Sequence, residues 1–288
     1  MSNPVPKAPL NLRDLCGKYG IKFKKALGQN LLLDDNINRI MTEAAELSAE
    51  DDVFEVGAGL GALTRHLAAA ARRVLAVEID SSFMPCLEEQ FGGMDHVRLF
   101  RGDILNHGLR DLAEEFLPGG ASYKLVSNVP YYITTPLLFH ILEAPLRLKC
   151  MVVMVQQEVG ARLTAPMNTA DYGVLPVIAQ ARTEVDVVHY VPASCFVPRP
   201  LVDSCIVRFR WRETQPEAGT FLLKVVRAAF AHRRKTLHNS LVKSGSFGAP
   251  KQAVIDGLAA AQIDPARRPQ TLSIQEFDRL ALEIKQRL

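Results

Sequence analysis

Four residues at the end of an apolar run, Asn128-Val129-Pro130-Tyr131, bring together an amide, a proline-fixed turn and an aromatic ring. That set can grip a flat base that carries an amine. The exocyclic amine of adenine is a poor nucleophile because its lone pair is delocalised into the ring. Acceptors aimed at its N–H groups as the nitrogen becomes pyramidal favour the transition state over the flat ground state. Asn128's side-chain oxygen and the carbonyl of Val129 or Pro130 can supply them, because a carbonyl in or ahead of a proline turn is not held in a strand ladder. Tyr131 offers a ring on which a base can stack, worth about 1–3 kcal/mol. Phe196, in Phe196-Val197-Pro198-Arg199-Pro200, offers a second aromatic wall. Taken alone, the tetrapeptide also fits a β-turn with a core tyrosine, and Phe196 fits core packing.

Upstream, Phe54-Glu55-Val56-Gly57-Ala58-Gly59-Leu60-Gly61-Ala62 reads as a strand that turns through glycines into a helix. Glycine lets the backbone turn sharply and lets a ligand approach the amides at the helix N-terminus. Read as Gly57, Gly59 and Ala62, the turn also passes as a relaxed dinucleotide fingerprint, so it does not name its ligand. Glu55, two residues before Gly57, would repel a pyrophosphate and suit an ammonium or sulfonium charge. S-adenosylmethionine carries both. About twenty residues on, Glu78 ends a second strand, where an acid can accept hydrogen bonds from ribose hydroxyls. Asp103 follows a third strand, where its carboxylate could accept from an adenine amino group. Each acid alone is an ordinary turn residue; three at the carboxyl ends of successive strands make a site.

The elements that must position these residues emerge from the hydrophobic rhythm. A helix is predicted from Asp34 to about Leu47, with Ile37, Ile40, Met41, Ala44 and Ala45 at helical spacing. From Asp52 to about Gln156, the β-branched runs 53–56, 74–79, 97–100, 124–127 and 151–155 alternate with helical segments. They imply an α/β fold, a parallel sheet covered by helices on both faces. Runs 184–190 and 204–209 are joined by the Pro-rich link 192–200, without room for a helix, and are most simply antiparallel. Beyond Trp211 the pattern is helical, over 221–231, 236–242, 251–261 and 274–286, after a linker at 213–219. The expected domains are an N-terminal arm over 1–21, whose first ten residues are loosened by Pro4, Pro6 and Pro9 with order beginning near Leu10, a catalytic domain over 22–212 and a small all-α domain over 213–288.

The chain has 288 residues and a formal net charge of only +3, so affinity for a polyanion must come from clustering. Two clusters exist: Lys7, Arg13, Lys18, Lys22, Lys24 and Lys25, and Lys224, Arg227, Arg233, Arg234, Lys235 and Lys243. Either could be a solvated face; together they point to a polyanion. The five cysteines lack metal-ligand spacing, so buried free thiols and no metal are expected. No apolar stretch is long enough to span a membrane and no signal peptide opens the chain, so a cytoplasmic protein is expected.

With these motifs in place, the chain resembles the KsgA/RsmA family of small-subunit rRNA adenine N6,N6-dimethyltransferases, kin to the Erm methyltransferases. The matching residues are Lys25 to Leu32, Glu55 to Thr64, Glu78, Gly102-Asp103, Asn128 to Tyr131, Gln157-Glu158-Val159, Tyr172-Gly173 and Phe196 to Ser204, in family order. The resemblance implies a Rossmann-like, seven-stranded class I methyltransferase domain using S-adenosyl-L-methionine. It implies that Asn30, Leu32, Gly57, Glu78, Asp103 and Asn128 contact the cofactor and that Asn128 to Tyr131 hold the target adenine; the reading of the residues themselves adds Glu55 and Gly59 to the cofactor site and Phe196 to the base site. Two adjacent adenosines near the 3' end of small-subunit rRNA would each be methylated twice, by a monomer acting on an assembling 30S-type subunit. Val129 stands where leucine is commoner and Ala58 where proline often sits; neither change removes an acceptor or a ring. Phe230-Ala231-His232-Arg233-Arg234-Lys235-Thr236-Leu237 is similar to a segment of the ribosome-assembly enzymes and implies that the helical domain contacts rRNA.

Overall fold

A computed structural model of the protein describes residues 12–21, 24, 28–32, 34–243 and 247–288. Pro4, Pro6, Pro9, Lys7, Lys22 and Lys25-Ala26-Leu27 lie outside the described residues, as do the side chains of Arg13 and Lys243. The chain opens with α1 (Leu12–Lys18), a two-residue strand β1 (Leu31–Leu32) and α2 (Asp35–Ala44). Asp34 caps α2 by accepting the Asn36 N–H at 2.9 Å, and the helix buries Ile37, Met41 and Ala44, the face its spacing predicted. Residues 12–21, beyond the stretch expected to be loose, are ordered by burial: Ile21 is buried with Leu60, Phe83 and Cys86, and Leu15, Cys16 and Tyr19 pack on that group. The prolines that suggested an arm all lie before this stretch.

Alternation then takes over: β2 (Asp52–Val56), α3 (Ala62–Ala70), β3 (Arg73–Glu78), α4 (Met84–Phe91), β4 (Val97–Arg101), α5 (Leu109–Phe116), β5 (Tyr123–Asn128), α6 (Thr134–Glu143), β6 (Leu148–Gln156), α7 (Gln157–Leu163), α8 (Val174–Arg182) and β7 (Thr183–Val191). After them come a two-residue β8 (Phe196–Val197) and β9 (Ser204–Trp211). Seven strands form one sheet in the order β4-β3-β2-β5-β6-β9-β7, with β2 to β6 parallel and β9 antiparallel to β6. This is the Rossmann-like α/β architecture that the alternation implied. The order reverses between β2 and β5, whose carboxyl ends therefore flank a crevice, the usual ligand position in such sheets. Strands β2 and β3 are almost wholly buried, which explains their unbroken apolar runs.

Between β7 and β9 the Pro-rich link does hold regular structure. A single 3-10 turn covers Ala193–Cys195, and β8 pairs antiparallel with β1, setting Leu32 opposite Phe196. No hydrophobic period could announce strands of two residues.

The chain divides into two compact units. One comprises the described residues up to Gly160 together with Asp186–Arg210; the other comprises Ala161–Val185 and Trp211–Leu288. The helical unit is thus discontinuous in sequence, unlike the boundary drawn at residue 213. Its later elements are α9 (Phe221–Phe230), a π-helical turn (His238–Lys243), α10 (Lys251–Ala260) and α11 (Ile274–Lys285), the last opened by a capping box between Ser273 and Glu276. The early segment belongs here because buried Tyr172 donates its hydroxyl to the Leu272 carbonyl at 3.1 Å and stacks edge-on with Phe230. Among the described residues no helix is long and apolar enough to cross a membrane, and no His, Cys, Asp and Glu group could hold a metal ion. The five cysteines are free; Cys86, Cys150 and Cys205 are buried, while Cys16 and Cys195 are only partly so.

Gly61 shows how tightly the loop after β2 is packed. It adopts φ 84°, and a Cβ there would lie 2.5 Å from the ring of Phe91, which is fully buried. Gly61→Ala should therefore destabilise the protein by about 3 kcal/mol, combining left-handed strain and overpacking. Chemical denaturation checks this; a loss under about 0.5 kcal/mol would show that the loop relaxes freely.

Candidate active site

One cavity opens at the carboxyl ends of β2, β3, β4 and β5, and every residue singled out from sequence lines it: Asn30, Leu32, Glu55, Gly57, Gly59, Glu78, Asp103, Asn128, Pro130, Tyr131 and Phe196. The glycine loop forms one wall. Gly57 and Gly59 take φ 80° and 55°, and Gly57 donates its N–H to Val77's carbonyl at 2.8 Å. A Cβ on Gly57 would sit 3.4 Å from Pro130 Cδ and 3.8 Å from Asn128's carbonyl oxygen, so the loop and the Asn128–Tyr131 turn nearly touch.

The three acids have different surroundings. Glu78 accepts the Gly59 N–H on Oε2 at 2.7 Å and the Asp80 N–H on Oε1 at 2.8 Å, so it shapes the glycine loop. Burial nonetheless pushes its carboxyl up. Each oxygen keeps a further lone pair. Asp103 caps the 3-10 turn Ile104–Asn106, accepting the Leu105 N–H at 3.0 Å, and so holds a fixed direction at the rim. Glu55 lies inside β2 with 1% exposure, and among the described residues its Oε2 has no hydrogen-bond partner. Burial pushes this carboxyl up to about 8. The ready negative charge expected of Glu55 is therefore replaced, at neutral pH, by a mostly protonated group that ionises when a cation comes near.

On the other wall, Asn128 ends β5, and Pro130 leads into the 3-10 turn Tyr131–Ile133. Of the two carbonyls considered as acceptors, Pro130's is occupied: it accepts the Ile133 N–H at 3.1 Å and the Thr134 hydroxyl at 3.4 Å. Tyr131's hydroxyl shares a 2.6 Å hydrogen bond with Ser204 Oγ, which fixes the ring against β9. Phe196 is 2% exposed and belongs to the hydrophobic core with Leu32 and Val191, so it closes the floor of the cavity rather than offering an open face.

Sequence reasoning named Leu32, Tyr131 and Phe196 but missed the other apolar walls. Ile79 and Ile104 each come directly after one of the acids and line the cavity, as do Leu60, Phe83 and Tyr132. The available signal was that apolar neighbour, one example of which, Ile79, is 43% exposed. A flat ring needs such walls as much as it needs hydrogen bonds. Gln29, next to Asn30, was also passed over and lines the same cavity.

In the helical unit the second basic cluster is not uniform. Arg233 donates to the carbonyls of Ala170 and Tyr172, the latter at 2.7 Å, and so clamps the unit's own turn. Lys224, Arg234 and Lys235 are exposed.

Comparison with known proteins gives a consistent result. Residues 20–284 match the family model described as ribosomal RNA adenine dimethylase. Proteins named ribosomal RNA small subunit methyltransferase A from Bacillus mycoides and Bacillus cereus are 42% identical over 277 residues, 95% of this chain and 95% of theirs. A solved dimethyladenosine transferase from Plasmodium falciparum is 25% identical, with a TM-score of 0.74 covering 89% of this chain and 98% of that one. The solved 23S rRNA methyltransferase ErmE is 26% identical, with a TM-score of 0.62 over 88% of this chain and 99% of that one.

Glu55 yields a pH test. Its carboxyl is held above its unfolded value, so its share of stability is complete below about pH 4.5 and is lost as pH rises through about 8. Glu55→Gln should match the wild-type melting temperature near pH 5 and exceed it increasingly towards pH 8.5. Parallel melting curves across that range would refute the protonated state.

Proposed function

We propose a function on one premise: the chain belongs to the ribosomal RNA adenine dimethylase family. We infer that it uses S-adenosyl-L-methionine to dimethylate N6 of two adjacent adenosines in the 3'-terminal hairpin of small-subunit rRNA during subunit assembly. The observation that carries this reading is the contact at Gly57, which sets a cofactor-type glycine loop against a base-gripping turn in one cavity.

The residues present fit that cofactor. Glu78 keeps lone pairs for ribose hydroxyls, Asp103 is fixed for an amino group, and Ile79 and Ile104 can sandwich an adenine ring. The orphaned Oε2 of Glu55 supports a nearby positive charge. When bound, the cofactor supplies an electrophilic methyl group on a cationic sulfur.

The chain's own residues prepare the acceptor. Tyr131, its hydroxyl tethered to Ser204, presents a ring for stacking; Asn128's side-chain oxygen and Val129's carbonyl accept from the target N–H groups. We assign the second acceptor to Val129 because Pro130's carbonyl serves the following turn. These acceptors favour the pyramidal nitrogen, and orientation supplies most of the acceleration. No strong base is required: once the nitrogen is alkylated its proton is acidic and passes to water. Exposed Lys224, Arg234 and Lys235 support contact of the helical unit with rRNA phosphates in an assembling small subunit. A cytoplasmic monomer fits this role.

With tritiated cofactor, label should appear as dimethyladenosine in under-methylated small subunits; label confined to large subunits, another base or protein would sink the proposal. Asn128→Ala should lower kcat about 100-fold or more. Tyr131→Ala should lower turnover about 10- to 100-fold, the worth of a stacked ring. Tyr131→Phe, which loses only the tether to Ser204, should cost about 10-fold at most. Equal losses in the two tyrosine variants would move the role from the ring to the hydroxyl.

A further inference from the structure

The 3-10 turn Tyr131–Ile133 carries two adjacent tyrosines, and they face different partners. Tyr131 is tied to β9 through Ser204. Tyr132 also lines the cavity, but its ring lies against Gly28. A Cβ on Gly28 would stand 3.2 Å from Cδ1 of that ring, so the ring packs on the bare backbone of another cavity-lining residue. Gly28 adopts φ 54°, a conformation that favours glycine and keeps the ring's seat free of a side chain.

The Tyr132 hydroxyl comes within reach of two carboxylates. Burial pushes this hydroxyl up, and the charges of Asp103 and Glu78 push it further, because a phenolate beside two anions would be repelled. Glu78 ends β3 and Asp103 lies just past β4; both line the cavity. These are the two acids assigned above to the adenosine half of the cofactor. One side chain thus joins three parts of the cavity: the turn that bears it, the Gly28 backbone and the pair of acids. Even so it is 47% exposed, so much of its ring has no protein cover. An aromatic face left open on a ligand cavity gains by covering a flat apolar surface of the ligand.

We propose that Tyr132 is a cofactor-binding residue whose ring covers the adenosine half, so that one turn serves both ligands, Tyr131 the target base and Tyr132 the cofactor. The proposal rests on the cofactor assigned above. Ile79 and Ile104 supply apolar walls beside the two acids, and Tyr132 adds a third wall from the side of the base. Its hydroxyl, which can both donate and accept, serves the polar edge of the same ligand.

Because Tyr132 is half-exposed, Tyr132→Ala and Tyr132→Phe should fold and melt within about 2 °C of wild type. In calorimetry with S-adenosylhomocysteine, Tyr132→Ala should bind about 10-fold more weakly and with a less negative heat-capacity change, whereas Tyr132→Phe should lose about 3-fold at most. 5'-Methylthioadenosine carries the adenosine half without the amino acid, and its binding should weaken by the same factor. In methyl transfer the cofactor KM should rise while the rRNA KM stays put. Wild-type affinity for both probes in Tyr132→Ala, or a loss confined to S-adenosylhomocysteine, would overturn the assignment. A raised rRNA KM with cofactor binding intact would overturn it too, by turning the ring towards the RNA. A wild-type chain that binds S-adenosylhomocysteine yet methylates no rRNA overturns the function proposed above, while the binding comparison still judges Tyr132.

Discussion

At Gly57 two turns come together with only the Pro130 ring between them, and the rest of the site depends on that. Strands β2 and β5 are parallel neighbours, so their carboxyl ends emerge side by side where the sheet order reverses. A side chain on Gly57 would stand against Pro130, and its φ of 80° already disfavours one. With glycine there, the loop after β2 and the Asn128–Tyr131 turn line one cavity. In the proposed reaction, transfer between two ligands held that closely would need little beyond orientation and no strong base.

Four acids in and beside β2 and β3 are buried, and each meets the cost of burial differently. Asp52 is held by Arg72 and Arg73, whose hydrogen bonds outweigh burial and keep its carboxyl low. Asp80 is held by Lys24, Gln29 and Ser82, and Glu78 by the amides of Gly59 and Asp80. For Glu55, hydrogen bonding with Thr64 does not offset burial, which pushes its carboxyl up to about 8, and its Oε2 has no partner among the described residues. The first three therefore fix backbone geometry, at a strand end, along the N-terminal segment and in the glycine loop. Burial pushes up the carboxyls of both Glu55 and Glu78, and both line the cavity.

The helical unit shows the same division between holding and reaching. Arg233 is spent on the turn at residues 170–172, and Tyr172 on Leu272, so the unit's two segments are stitched by polar contacts around an aromatic group of Tyr172, Phe230 and Phe277. Among the described residues of the cluster, Lys224, Arg227, Arg234 and Lys235 are also exposed.

The sequence by itself determined the parallel alternation, because buried strands must be apolar and the helices covering them must repeat at helical spacing. It also located the glycine loop, the acids Glu55, Glu78 and Asp103, and the Asn128–Tyr131 turn, because each sits within or just past an apolar run. It was silent on β1 and β8, since two residues carry no period, and on the return of residues 161–185 to the helical unit, since the Tyr172 contacts link positions far apart in the chain. Charge state and partner choice belonged to tertiary structure alone. Whether Glu55 carries a proton, whether Pro130's carbonyl is available, whether Arg233 bonds to its own chain and whether Asp80 grips Lys24 all depend on what surrounds each group. Burial and neighbouring donors are properties of the packed chain, which no local pattern of residue types contains.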